Sequence, residues 1–169
     1  MNLFDFIVNR ENSTIHIKRE FKADLGLVWQ AWTSAELLDQ WWGPKPWRAE
    51  TKTMDFREGG FWHYAMVGPE GERHWSKAHF LSIEKEKSFS QKDGFCDENG
   101  IMNPEFPQSR VENTFHPKEN KVLVEMLLIF DTLSDLEKTI EMGFREGISI
   151  DFEQLDELLA ARNKESSDN

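Results

Sequence analysis

LSDLEKTIEMGFREGISIDFEQLDELLAAR, residues 133–162, is the stretch on which the fold turns. Leu133, Leu136, Ile140, Phe144, Ile148, Phe152, Leu155 and Leu159 recur at steps of three and four, with acids and Lys or Arg between them. That spacing makes one apolar face of a 3.6-residue helix. Ser134 and Glu137 have the spacing of a capping box, in which each side chain satisfies the other's free backbone N–H. Asn163 is the expected stop, leaving 163–169 as a flexible polar tail. About thirty residues at ~1.5 Å each give a rod of roughly 45 Å, and an apolar stripe of that length needs a broad partner surface. Gly143 and Gly147 lie beside the stripe at ~1 kcal/mol each relative to Ala. Two readings stay open for them: a close approach of backbone or a cavity beside the helix, or a bend that breaks it in two.

Working outward from the helix, composition limits what the rest can be. At 169 residues and 38% hydrophobic, the chain suits one domain with a proper core. No run of about 18 apolar residues exists to span a membrane. The opening residues lack the basic start and apolar run of a signal peptide, and a lone Cys96 permits no internal disulfide, so the cytoplasm is the expected compartment. A net charge of −11 and a pI near 4.9 argue against nucleic acid and anionic membranes as partners. Seven tryptophans stand against one tyrosine. Five of the seven fall between residues 29 and 47, which marks that region as structurally demanding.

Residues 14–22 alternate as a first strand, with Ile15 and Ile17 on one side. Asp24 is placed to cap a short helix carrying Leu25, Val28, Trp29 and Trp32. Ser34 is placed to cap a second, with Leu37, Leu38, Trp41 and Trp42, and Gly43-Pro44 ends it. The period then changes to two. Strands are expected over 48–56, 61–67 and 73–84, the last with Trp75, Leu81 and Ile83 on one face and Ala78 and Phe80 on the other. Turns lie at 57–60 and 68–71 between them. A short strand over 87–92 precedes a polar stretch, 93–108, read as a loop insertion or lid. Strands over 110–116 and 121–132 complete the set, and the continuous apolar run 126–130 suggests a strand covered on both faces. The compact solution is α+β: a curved antiparallel sheet of about seven strands wrapped around the long C-terminal helix, with two short helices after strand 1 closing one end.

Two motifs narrow this further. The first is Trp29-x-x-Trp32-Thr33 followed by Glu36-Leu37-Leu38-x-x-Trp41-Trp42-Gly43-Pro44. The second is Phe56-Arg57-x-Gly59-Gly60-x-Trp62-x-Tyr64-x-Met66-x-Gly68-Pro69-x-Gly71. Gly147 with Leu155-x-x-Leu158-Leu159 is a weaker third. Together they resemble the Hsp90 ATPase activator homologue family of the START-like (SRPBCC) superfamily, over about residues 13–162. The resemblance implies a single START-like domain of helix-grip (Bet v) type across 1–169, with an apolar cavity between sheet and helix. Its members are similar to carriers, sensors, cyclases and co-chaperone domains, so the fold alone leaves function open. The stretch 93–108 is longer than the family pattern leads one to expect.

The sequence holds no Gly-x-Ser-x-Gly and no phosphate-binding glycine loop. Cys96 sits beside acids that raise its pKa rather than activate it. None of His16, His63, His74, His79 and His116 has metal-ligand spacing, and no cofactor is expected. Trp29 and Trp41 read as core. Trp32, Trp42, Trp47, Trp62 and Trp75 read as cavity wall or rim, with His63, Tyr64 and His79 as polar groups near a ligand and Phe144 and Ile148 facing it from the helix. Aromatic walls with a few polar groups suit a small hydrophobic or aromatic ligand bound without catalysis. Two alternatives remain: a module that binds a chaperone such as Hsp90, and an enzyme using a cavity histidine with a carboxylate. Either a monomer or a homodimer is compatible with the sequence. Glu84, Glu86, Glu137, Glu141, Asp156 and Glu157 read as a solvated acidic face.

Overall fold

The computed structural model describes residues 3–168. Eight strands form one antiparallel sheet: β1 (Phe4–Asn9), β2 (Thr14–Phe21), β3 (Arg48–Met54), β4 (Phe61–Val67), β5 (Arg73–Glu84), β6 (Ser88–Cys96), β7 (Ser109–Lys118) and β8 (Lys121–Phe130). Their spatial order is β1-β2-β8-β7-β6-β5-β4-β3. The helices are α1 (Leu25–Thr33), α2 (Ala35–Trp41), α3 (Leu133–Glu141) and α4 (Phe144–Asp168). After β2, α1 and α2 carry the chain across to the opposite sheet edge, where β3 begins a meander that returns to β8. The architecture is the α+β helix-grip fold, an open curved sheet holding a long C-terminal helix.

The core lies between the concave face and α4. Ile148, Phe152, Leu155 and Leu159 of α4 pack with Ile15, Ile17 and Phe21 of β2, with alternate residues Val122 to Phe130 of β8, and with Trp29, Trp32 and Trp41. Alternation explains the strand contribution, since every second side chain of β8 reaches the core. Leu123, Leu127 and Ile129 on its other face are only half-buried, so the strand is not covered equally on both sides as its apolar run suggested.

Several elements differ from those the sequence suggested. An eighth strand, β1, pairs with β2 from Phe4↔Arg19 to Asn9↔Thr14. Phe4 and Phe6 turn inward against Phe152 and Phe144, at 5.8 and 5.9 Å between ring centroids. The long C-terminal helix is two pieces, because Gly143 adopts φ +86° and ends the first. The break is one of the two readings that the sequence left open for its glycines. The cap of α3 is Thr132, which accepts the Asp135 N–H at 3.1 Å; Glu137 instead binds Arg10 at 2.8 Å. Finally, α4 continues through Asn163 to Asp168.

Two smaller corrections bear on the site. A bulge between Phe80 and Ser82 breaks the alternation of β5, so Ile83 packs on the core while Leu81 is exposed, rather than the two sharing a face. Strand β6 runs on to Cys96, so the loop begins only at Asp97. That loop is built rather than slack. The Asp97 carboxylate accepts the N–H groups of Asn99 and Ile101 at 2.9 Å each, and Phe106 packs on Phe95 at 5.3 Å.

Candidate functional site

Between the concave sheet face and α4 lies a cavity of about 780 Å³. Its aromatic wall starts where α1 and α2 meet the sheet. Ring centroids run from Trp32 to Trp41 at 4.8 Å, to Trp42 at 5.5 Å and to Trp62 at 6.4 Å, with Tyr64 stacked on Trp62 at 3.9 Å. Three of the four indole N–H groups along this wall are oriented by a partner. Trp41 donates to Ala31 O at 2.8 Å, Trp42 to the Tyr64 hydroxyl at 3.1 Å and Trp62 to Thr51 Oγ1 at 3.0 Å. A buried aromatic with a satisfied N–H holds one rotamer, so the wall is preformed.

The helix supplies the facing wall through Phe144, Gly147, Ile148 and Asp151. Helix α4 is pinned to the Trp41–Lys45 turn by two side chains. Asp151 accepts the Gly43 N–H at 3.1 Å, while Gln154 donates to Trp41 O and Gly43 O at 2.9 Å each and accepts the Lys45 N–H at 3.0 Å. Gly43 has φ +114°, and a Cβ there would stand 2.9 Å from Ala49 N, so this turn requires glycine. A Cβ on Gly147 would meet Pro44 at 3.6 Å, an ordinary contact. The glycine pair provides no close backbone approach; Gly143 provides the bend, and both glycines line the cavity beside the helix.

The expected site residues divide by strand face. Trp32, Trp42, Trp47, Trp62, Tyr64, Phe144 and Ile148 line the cavity. Trp75 borders it, but its ring lies 5.0 Å from His63, with the Lys52 ammonium 5.6 Å from its centroid. His63 and His79 do not line the cavity. Trp62 and Tyr64 face inward, so pleating sends His63 to the other side of β4. There it is 4% exposed, with Nε2 3.1 Å from Asp97 O. His79 stands opposite Phe61 in the register, and desolvation, aided by the nearby Lys77 charge, lowers its pKa. His74 is the histidine on the cavity wall, 5.5 Å from Trp47 between ring centroids. The requirement of the enzyme alternative, His63 or His79 beside an acid inside the cavity, is therefore not met.

Apart from Tyr64, the buried polar groups of the cavity are ones the sequence did not single out. Gln91 and Asp93 face inward from β6, and Gln91 donates to the Asp93 carboxyl at 2.7 Å. Burial pushes the Asp93 pKa up to about 7, against the lowering effect of that bond. Burial likewise pushes Asp151 up to about 8, opposed by the Gly43 N–H. The Tyr64 hydroxyl is raised by burial and then by the Asp93 charge. Asn113 lines the cavity from β7, 2% exposed, and its Oδ1 has no hydrogen-bond partner. Cys96 borders the site with a thiol raised first by burial and then by Asp97, the direction expected of an inert thiol. Among the described residues no group of three or more His, Cys, Asp or Glu is arranged to hold a metal ion, and no helix is long and apolar enough to cross a membrane.

With the fold and cavity in view, comparison with known proteins is direct. Protein Ms6760 from Mycobacterium smegmatis is similar at 29% identity and TM-score 0.85, covering 94% of this chain and 97% of that one. A protein from Arthrobacter aurescens is similar at 31% identity and TM-score 0.87, covering 93% and 91%. A Staphylococcus epidermidis protein shares the fold at TM-score 0.81 and 24% identity, covering 92% and 94%. Among curated proteins no sequence match was found. The profile of the activator of Hsp90 ATPase homolog 1-like proteins matches residues 22–160, a span that takes in both motifs, most of α4 and most of the sheet. The chain belongs to the activator of Hsp90 ATPase homolog 1-like family, within the START-like (SRPBCC) superfamily.

Proposed function

We propose that this protein binds a small hydrophobic or aromatic molecule in its helix-grip cavity, as a carrier or sensor without a chemical step. The observation that carries the reading is the 780 Å³ cavity walled by oriented indoles with a few buried polar groups. Ligand sites of this kind occupy roughly 300–1,000 Å³ and combine mainly apolar walls with few, well-placed polar atoms. The protein acts in the cytoplasm, as a monomer or homodimer. The segment 97–108 is the lid of the cavity, since Asn103, Phe106 and Pro107 line it and Phe106 is also exposed. Native mass spectrometry before and after denaturing extraction tests the reading, together with tryptophan fluorescence during titration with apolar ligands. A retained molecule or saturable quenching supports it. An empty protein without response overturns it.

A second reading follows from the family itself: a module that binds a chaperone of the Hsp90 kind. Ile101, Phe106 and Met142 are exposed apolar side chains that a protein partner would cover. Enrichment of Hsp90 in a pull-down, lost when these three are changed to Ser, supports this reading, and no enrichment removes it.

A further inference from the structure

The polar groups of the cavity are unbalanced in one direction. Asp93 accepts only the Gln91 amide, at 2.7 Å, and Asp151 only the Gly43 N–H, at 3.1 Å. Among the described residues neither carboxyl makes an ion pair. Register aligns Asp93 with Ala78 and Trp62, next to Tyr64 on the same face, while Asp151 binds Gly43 beside Trp42, the donor to the Tyr64 hydroxyl, which places the three groups in one region of the cavity. The cations bordering the cavity are engaged elsewhere. Arg73 donates to Glu50 at 3.1 Å, and the Lys77 ammonium lies 4.4 Å from the centroid of the Phe61 ring. A second acceptor, Asn113 Oδ1, is buried with no partner. Asn113 stands four residues along β7 from Ser109, the residue paired with Asp93, or roughly 13 Å at ~3.3 Å per residue.

A buried acceptor with no donor, and a buried carboxyl with no cation, each cost free energy that a complementary ligand recovers. Burial raises both carboxyl pKa values, as expected of acids facing an apolar space without a positive partner. An anionic ligand, a fatty acid for example, would set its carboxylate against two acids, and among the described residues the wall offers it only His74 besides the engaged Arg73 and Lys77.

Resting on the ligand-binding reading above, we propose that the cavity takes an aromatic amine: rings against the Trp42–Trp62 wall, a protonated nitrogen at Asp93 and Asp151 beside Tyr64, and a second N–H or O–H donor directed to Asn113. The amine N–H groups supply the donors that the two carboxyls lack, and the ring system fills the apolar volume between.

The test is tryptophan fluorescence titration at pH 8 with three probes of one ring system: 2-naphthylmethylamine, 2-ethylnaphthalene and 2-naphthylacetic acid. The amine is expected to bind on the order of tenfold more tightly than the hydrocarbon, as a hydrogen bond to a charged group implies, and the acid more weakly than either. In the Asp93→Asn, Asp151→Asn double variant the three affinities converge. A wild-type protein that binds the acid as well as the amine overturns the proposal. So does a folded double variant that keeps the amine preference. If that variant does not fold, the wild-type ranking decides alone. Failure of all three probes, the hydrocarbon included, removes the ligand-binding reading itself, whereas binding of the hydrocarbon without amine preference removes only this inference.

Discussion

Asp151 of α4 accepts the backbone N–H of Gly43 at 3.1 Å, a single bond that joins the long helix to the turn leaving α2. Trp42, immediately before that turn, hydrogen-bonds Tyr64 across the cavity wall. The helix, the short-helix pair and the sheet are thus connected through one corner, and the tryptophan motif exists largely to build it.

Gln154 reinforces the same corner with three hydrogen bonds, to Trp41 O, Gly43 O and Lys45 N. Gln154→Ala is expected to lower stability by about 1–3 kcal/mol, since the freed backbone groups are partly reachable by water. Urea denaturation measures it, and an unchanged midpoint would show that the corner holds without this clamp.

The two raised carboxyls make stability depend on pH. Folded Asp93 and Asp151 titrate near 7 and 8, against an ordinary value of 3.8, so the native state binds more protons than the unfolded chain between those limits. Their contribution to stability is therefore fully present below about pH 4 and lost as pH rises through 7–8. Asp151→Asn, which keeps an acceptor for Gly43, is expected to flatten this decline and raise the melting temperature at pH 8. A melting series from pH 5 to 9 reads both slopes, and parallel curves for the two proteins would refute the assignment.

The two helix glycines are expected to respond with opposite signs. Gly143 is in the left-handed region at φ +86°, so Gly143→Ala loses about 1 kcal/mol in backbone strain. Gly147 is helical, and an added Cβ meets only Pro44 at 3.6 Å, so Gly147→Ala gains about 0.5–1 kcal/mol of helix propensity. Thermal melts of the two variants side by side settle the point, and equal shifts of the same sign would contradict it.

Asp156 is not a member of a merely solvated face. It holds Arg19, which is 8% exposed and lies 4.8 Å from the Phe21 ring centroid, through both terminal guanidinium nitrogens, Nη1 and Nη2. Removing the acid strands a buried cation, so Asp156→Ala is expected to cost about 2–4 kcal/mol, while Glu157→Ala changes little. Denaturant midpoints for the pair of variants distinguish them, and matching midpoints would return Asp156 to the surface class.

Much of the architecture was legible in local pattern. The 3.6-residue stripe, the change to period two after Trp47, and Asp24, whose carboxylate accepts the Leu27 N–H at 2.8 Å, all report on neighbours a few residues away. The break at Gly143 was legible only as one of two readings, because the apolar positions recur across it without interruption. Strand β1 passed unread although Phe4, Phe6 and Val8 alternate. The site was half legible. Alternation on β4 already set His63 opposite Trp62 and Tyr64, which is why a cavity role for His63 does not survive. Asp151 left a signal of its own, a charge between Ile148 and Phe152 on the apolar face of α4. Asp93 left none, because it sat in a stretch read as loop.

By itself the sequence determined most of the element types, their order after β1 and the family, since these rest on short-range periodicity, turn chemistry and two motifs of fixed spacing. Only the tertiary structure decided which groups share the cavity and how they are charged. Asp93 and Asp151 lie 58 residues apart in the chain and act on the same Tyr64 hydroxyl only because the sheet curves around α4. Desolvation depends on everything packed around a group, and no local pattern carries that information.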